Sequence, residues 1–254
     1  MRALVILAAI VVMAVPLFGQ NPPDAKKVEA DKLYNDGNTL YRSGDFAGAI
    51  KKYNSAIEIA DDYKYRYQLG LSYKNSRDIS NAIGQFEKSV ALKPDFAVGH
   101  YALGTAQLSA RGYDESVDHF KKALQFDPSM DRAKTGMAEA YAGKAQRLSD
   151  EGDLQEAGKV CDEALALHSS NPKLLLISAR VYNKLGNGEK AREAAQSALE
   201  AKKRGARGAE YFELGLAYKA LQDYEKARAS FNEAKKDPNY SRNAQYELDG
   251  IKGK

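Results

Sequence analysis

Apolar and polar positions alternate along this chain in two distinct ways. Ala3 to Phe18 is an almost purely apolar run after a single basic residue, Arg2. From residue 30 onward, apolar residues instead recur every three or four positions, the spacing of one helical face. Leu69, Gly70 and Tyr73 share one face; after a break, Ile79, Ala82, Phe86 and Ser89 share another. The breaks carry stop and start chemistry. Gly44-Asp45 and Gly152-Asp153 place a glycine where a helix ends left-handed and an Asp where the next one is capped. Asn171-Pro172 supplies a cap followed by a proline at the first helical position. Each unit therefore reads as two helices.

The units repeat. Leu69-Gly70 returns as Leu103-Gly104, and Pro94 as Pro128, both 34 residues on; Ala82 falls on Ser116 and Phe86 on Phe120. Gly37, Ala49 and Tyr53 precede Gly70, Ala82 and Phe86 by 33, and Leu214-Gly215, Tyr218, Ala227, Phe231 and Ala234 follow in the same order. Small residues at the helix crossing, with Phe86, Phe120 and Phe231 beside them, suit a tight hairpin.

This pattern, Leu-Gly-x2-Tyr…Ala-x3-Phe-x2-Ala…Pro, resembles the tetratricopeptide repeat family. The resemblance covers about residues 30–238, although the motif's usual first Trp is replaced by Leu33, Arg66, His100 and Tyr211 in four units. It implies an all-α fold, an α-solenoid wound as a right-handed superhelix of about six helical hairpins. The units are expected near 30–62, 63–96, 97–130, 131–171, 172–207 and 208–238, after a short polar leader at 20–29. Residues 239–254 form a capping helix and tail, because Ala244, Leu248 and Ile251 make one stripe among charges. In the fourth unit the turn Gly152-Asp153 arrives seven residues late, about two helical turns, which lengthens the helices without rotating their faces. The fifth unit reads as thin and locally less stable, since Gly188 and Ala195 stand where other units have aromatics.

On the first helix of each unit, a second stripe lies beside the packing stripe. Position five holds Tyr34, Tyr67, Tyr101, Thr135, Leu176 and Phe212; position nine holds Asn38, Leu71, Thr105, Glu139, Arg180 and Leu216; position twelve holds Tyr41, Lys74, Leu108, Ala142, Asn183 and Lys219. The resemblance implies that this stripe lines the concave groove where ligands bind. The candidate partner-binding set is drawn from the first three units: Tyr34, Asn38, Tyr41, Tyr67, Leu71, Lys74, Tyr101, Thr105 and Leu108. The alternative is that the aromatics only pack between repeats. One subtype of the family holds a chaperone's C-terminal carboxylate in a clamp of Lys, Asn and Arg. Asn38 fits one position of it, but Tyr34, Tyr101 and Thr105 stand where basic residues are needed, so that binding mode is not expected.

Candidate chemistry is sparse. Cys161 is the single cysteine and takes the place of the core Phe on its helix, so it is expected to be buried and inert. His100, His119 and His168 have no metal-ligand spacing in sequence, and no metal or cofactor is expected. Gly143-Lys144 lacks the spacing of a phosphate loop. No catalytic constellation is present, and an enzyme is not expected. Lys202, Lys203, Arg204 and Arg207 form a basic cluster between the fifth and sixth units, either a solvated loop or a patch for an acidic partner. A net charge of +4 over 254 residues does not call for nucleic acid.

The apolar N-terminal run, with Gly19 before polar Gln20, has the layout of a bacterial secretory signal peptide over residues 1–19. Its 16 apolar residues are short for a membrane span of about 20. The expected location is therefore extracytoplasmic, periplasmic or secreted; the alternative is a chain anchored to the membrane by an uncleaved segment. The expected function is a scaffold or adaptor binding a protein, peptide or helix. The alternative is an accessory protein binding a glycan or other cell-envelope ligand on the aromatic stripe.

Overall fold

A computed structural model describes residues 25–254; the expected signal peptide and residues 20–24 of the leader lie outside them. Among the described residues there are thirteen helices and no strand. They pair as α1 (Ala25–Arg42) with α2 (Phe46–Ile59), α3 (Tyr63–Asn75) with α4 (Ile79–Leu92), and α5 (Ala97–Ser109) with α6 (Tyr113–Phe126). α7 (Asp131–Glu151) pairs with α8 (Leu154–Leu167), α9 (Pro172–Lys184) with α10 (Gly188–Ala201), and α11 (Gly208–Ala220) with α12 (Tyr224–Ala234); α13 (Ser241–Gly250) follows. α1 begins at Ala25, within the polar leader, since Ala25 to Glu29 contains no breaker and continues the helical run.

Every hairpin turns in the same way. The residue two before each second helix lies in the left-handed region: Gly44, Arg77, Arg111, Gly152, Gly186 and Gln222, with φ from 62° to 90°. The next residue is the N-cap. Asp45, Asp78, Asp153, Asn187 and Asp223 each accept a hydrogen bond from the backbone N–H three residues on. Gly112 serves at the remaining turn without a side-chain bond.

The hairpins stack into an α-solenoid, a right-handed superhelix closed at its end by α13. First helices touch one another between α1 and α3, α5 and α7, α7 and α9, and α9 and α11, whereas second helices keep farther apart. The tighter layer of first helices is therefore the inner, concave side.

One size rule governs each hairpin interior. Eight residues before the N-cap of the second helix stand Gly37, Gly70, Gly104, Ala145, Ala179 and Gly215; at the eighth position of that helix stand Tyr53, Phe86, Phe120, Cys161, Ala195 and Phe231. All six of the latter are buried. Where the first residue is glycine the second is a ring, and the ring fills the glycine's missing side chain. A Cβ on Gly37, Gly70 or Gly215 would stand 2.6, 2.6 and 2.5 Å from the facing ring. Where the first residue is alanine the second shrinks to Cys161 or Ala195. Each fully buried ring contributes about 2–3 kcal/mol of transfer free energy.

The fifth unit is therefore not thin, a correction to the sequence reading. Ala179 and Ala195 are both buried, and volume returns through Leu174, Leu175, Ile177, Val181 and Tyr182, all buried on α9. The largest continuous core cluster runs through this unit, from Val117 to Ala217. Gly188 receives Leu221 of the sixth unit against it, so the missing aromatic there is replaced by a neighbour's side chain. α7, at 21 residues against 13 in α3, α5, α9 and α11, carries the lengthening of the fourth unit.

Candidate functional site

The concave stripe splits into two halves of different character. In the N-terminal half the aromatics lean on the hairpin interior. Tyr34, Tyr67 and Tyr101 lie 5.8, 5.9 and 5.9 Å from Tyr53, Phe86 and Phe120, and Phe212 lies 5.8 Å from Phe231 in the same arrangement. Their outer edges meet the next unit or the residue leading into it: Tyr34 meets Tyr65 at 4.9 Å, Tyr67 meets Phe96, the N-cap of α5, at 5.2 Å, and the Arg132 guanidinium lies 4.6 Å over the Tyr101 ring. These rings bridge successive repeats and remain half-buried.

The polar members are also engaged. Asn38 Oδ1 accepts the Tyr53 hydroxyl at 2.8 Å, and the Tyr41 hydroxyl accepts from Asn75 Nδ2 at 2.6 Å. Thr105 Oγ1 donates to the Tyr101 carbonyl at 2.8 Å. Leu71 and Leu108 pack against the core from the stripe, and Lys74 is half-buried near the end of α3.

The C-terminal half opens into a pocket of about 510 Å³. Four stripe residues line it: Arg180 and Asn183 of α9, Leu216 and Lys219 of α11. Lys184 and Ala220 complete the rim, and Glu213 forms part of the wall. The buried Glu213 carboxylate accepts from Arg180 Nε at 3.1 Å and Asn183 Nδ2 at 2.9 Å. Burial pushes its pKa up, opposed by the hydrogen bond from Asn183 and by the Arg180 guanidinium. Arg180 also donates to the Tyr240 hydroxyl at 3.1 Å, and Lys219 to Glu247 at 2.6 Å, so the residues around α13 brace the end of the groove. Leu216 and Ala220 give the pocket an apolar floor beside the cationic side chains of Arg180, Lys184 and Lys219.

Arg180, Asn183, Leu216 and Lys219 stand in the stripe read from the sequence but outside the candidate set drawn from it. Glu213 and Tyr240 gave no signal there, because their roles depend on contacts 33 and 60 residues away from Arg180. The basic cluster is largely taken up by the fold. Lys202 Nζ donates to both oxygens of the buried Glu210, at 2.7 and 3.0 Å, and Arg207 donates to the Lys202 carbonyl at 2.9 Å. Lys203 and Arg204 stay exposed in the loop. Cys161 is buried, and burial pushes its thiol up to about 11. Among the described residues no helix is long and apolar enough to cross a membrane.

Stacked helical hairpins with a side-chain-lined inner face define the class of this protein, an α-solenoid of paired helices. Models of the tetratricopeptide repeat match residues 67–131, 148–210 and 211–236, and the chain is a tetratricopeptide repeat protein. It is 31% identical over 117 residues to the Hsp70-Hsp90 organizing protein of Triticum aestivum, covering 46% of this chain and 20% of that one. It is 24% identical over 217 residues to DnaJ homolog subfamily C member 3 of Mus musculus, covering 82% and 43%. The chain spans about a fifth of the length of the heat shock protein STI1 of Saccharomyces cerevisiae and of the wheat protein. Among solved structures, Pseudomonas aeruginosa pilF matches with a TM-score of 0.55 at 15% identity, over 89% of this chain and 100% of that one. YrrB, described as a tetratricopeptide repeat protein with an unusual peptide-binding site, matches with a TM-score of 0.55 at 16% identity, over 77% and 96%. These two likenesses concern the fold.

Proposed function

We propose that this protein is a non-enzymatic interaction scaffold that takes a partner peptide or helix on its concave face, outside the cytoplasm. The observation that carries the reading is the pocket between α9 and α11. Four groove-stripe residues converge there on an apolar floor, with Arg180, Lys184 and Lys219 around it. The occupant that suits it is an apolar side chain flanked by a carboxylate. The tyrosines of the first three units then offer half-exposed ring edges along which an extended segment continues. The name of the wheat relative, an organizer of Hsp70 and Hsp90, supports a role in protein association. The partner itself is not taken from that name, because Tyr34, Tyr101 and Thr105 stand in the clamp positions.

A photo-crosslinking residue at Leu216, compared in the native cell with one at the exposed Lys159 on α8, tests the assignment. Crosslinks to a discrete partner are expected from position 216 and not from 159. Equal yields at both would remove the groove from the proposal. The extracytoplasmic part rests on the apolar run of residues 1–19, and N-terminal sequencing of the mature protein tests it. A chain starting at Gln20 is expected; Met1 retained on a membrane-bound chain would replace cleavage by anchoring.

A further inference from the structure

The three cations around the pocket of α9 and α11 are held in different ways. Arg180 pairs with the buried Glu213, whose carboxylate would be stranded without it. Lys184 donates to Ser149 Oγ at 2.8 Å, and the Asp150 carboxylate, 4.0 Å away, is exposed. Lys219 is held from α13: its Nζ donates to Glu247 Oε2 at 2.6 Å, and the Glu247 side chain is only 15% exposed. Tyr240, the residue before α13, adds its hydroxyl to Arg180 at 3.1 Å. Two of the three cations are therefore tied to α13 or its approach.

The register of α13 gives these contacts a meaning. Phe96 is the residue before α5 and lies edge-on to Tyr67 at 5.2 Å. Tyr240 is the residue before α13 and meets Phe212, which holds the same stripe position as Tyr67, at 5.7 Å. α13 thus stands where the first helix of a further unit would stand, on the groove side. Two residues depart from that pattern. Tyr240 carries a hydroxyl where Phe96 has none. Glu247 is the seventh residue of its helix, the place of the buried Leu69, Leu103 and Leu214 in α3, α5 and α11. A core leucine is exchanged for a carboxylate, and that carboxylate reaches the pocket's Lys219.

The hold on α13 is slight. Ala244 and Ile251 are fully buried against α12 and Leu248 is half-buried, while Tyr246 is exposed. Ten residues fall short of the roughly 12–15 at which a helix alone in water is marginal, so α13 stays formed only while docked. An ammonium has three donors, but two carboxylates on one nitrogen repel each other, so a partner's carboxylate and Glu247 compete for Lys219.

We infer that α13 is a displaceable latch on the pocket: Glu247 occupies the place of a partner's carboxylate on Lys219, and an acidic partner binds by taking that place and loosening α13. The inference rests on the proposed groove reading. By linkage, weakening the hold of α13 on Lys219 strengthens the partner, and the partner weakens α13 by the same factor.

NMR titration of the full chain tests this with the blocked dipeptide acetyl-Leu-Glu-amide, an apolar side chain beside a carboxylate, and its uncharged match acetyl-Leu-Gln-amide. The acidic dipeptide is expected to shift the Leu216 and Lys219 amide signals. It should bind Glu247→Gln at least about fivefold tighter than wild type, the low end of ordinary coupling between sites, while the uncharged dipeptide gains nothing. Hydrogen exchange on the unmodified chain gives a readout that needs no variant: the acidic dipeptide should speed exchange in α13 and leave α10 unchanged. Equal or weaker binding to the variant, or slower exchange in α13, with the Leu216 shift intact, would make α13 a brace and overturn the latch while the groove reading stands. No shift at Leu216 in either chain would remove both.

Discussion

Two glycine-to-alanine changes 14 residues apart should move stability in opposite directions. Gly70 in α3 and Gly84 in α4 are both helical, so alanine at either gains about 1 kcal/mol of helix propensity. At Gly84 nothing lies within 4 Å of the new Cβ, and that gain should appear in full. At Gly70 the Cβ would stand 2.6, 2.7 and 3.1 Å from three atoms of the Phe86 ring, against an ordinary carbon contact of about 3.5–4 Å. Phe86 is fully buried, so the ring has no solvent to retreat into, and overpacking of this kind costs about 1–3 kcal/mol. The net expectation is a loss of about 1 kcal/mol for Gly70→Ala and a gain of about 1 kcal/mol for Gly84→Ala. Urea denaturation followed by far-UV circular dichroism reads the difference, and hydrogen exchange in α3 locates it if the array unfolds unit by unit. Gly70→Ala with Phe86→Leu should be less damaging than the two single changes summed, because the smaller side chain vacates the space that the methyl enters. If Gly70→Ala raises the midpoint as Gly84→Ala does, the ring is not tightly seated and the size rule fails.

Arg180→Ala leaves the Glu213 carboxylate buried without its cation and should cost about 2–3 kcal/mol in thermal or urea unfolding. Glu213→Gln, which removes the charge and keeps the shape, should cost less than about 1 kcal/mol; the reverse order would mean that the ion pair does not hold the pocket wall. Arg77 has a φ of 66°, so Arg77→Gly should stabilise by roughly 0.5 kcal/mol, while Gly44→Ala at 84° should destabilise by about 1 kcal/mol, both read from urea midpoints. The Cys161 thiol, raised from 9.0 to about 11, favours its neutral form in the folded chain. Its contribution to stability is therefore complete below pH 9 and lost as pH climbs toward 11. At pH 8 a disulfide reagent should label it at least about a hundredfold slower than in denaturant, and labelling at the unfolded rate would show that α8 opens readily.

The fold was legible because its determinants are local and repeated. A glycine or polar cap at the turns, a ring eight residues into four of the six second helices and a proline at three of the junctions between units recur at similar intervals, and each alone limits the backbone. The exceptions were legible only in part. The long α7 showed in the late turn at Gly152, but the adequacy of the fifth unit did not. Ala195 looks like a hole until it is set against Ala179, and that match depends on the distance between two helices, which no single helix encodes. The His100–His119 pair was hidden for the same reason. Its Nδ1 atoms, 3.3 Å apart, meet across a hairpin and not along a helix.

The groove residues mark where reading by period stops. At about 100° per residue, position five of a first helix stands about 60° from the buried position eight, and position twelve about 40° from it. Residues at those angles lie on the border of the core, so a tyrosine there satisfies both the packing stripe and the groove. What lies at the junction with the next unit divides the two roles. Phe96 meets Tyr67, Tyr65 meets Tyr34, and Arg132 covers Tyr101, so the aromatic half of the stripe spends most of its surface on its own repeats. In units five and six the same positions carry Arg180, Asn183, Leu216 and Lys219, and between them the surface stays open. An aromatic stripe thus measures how strongly repeats are joined, and polar residues at the same positions leave room for something else. On the proposed reading the binding centre lies in the last two units, and Leu216 is a better probe of the partner than Tyr67.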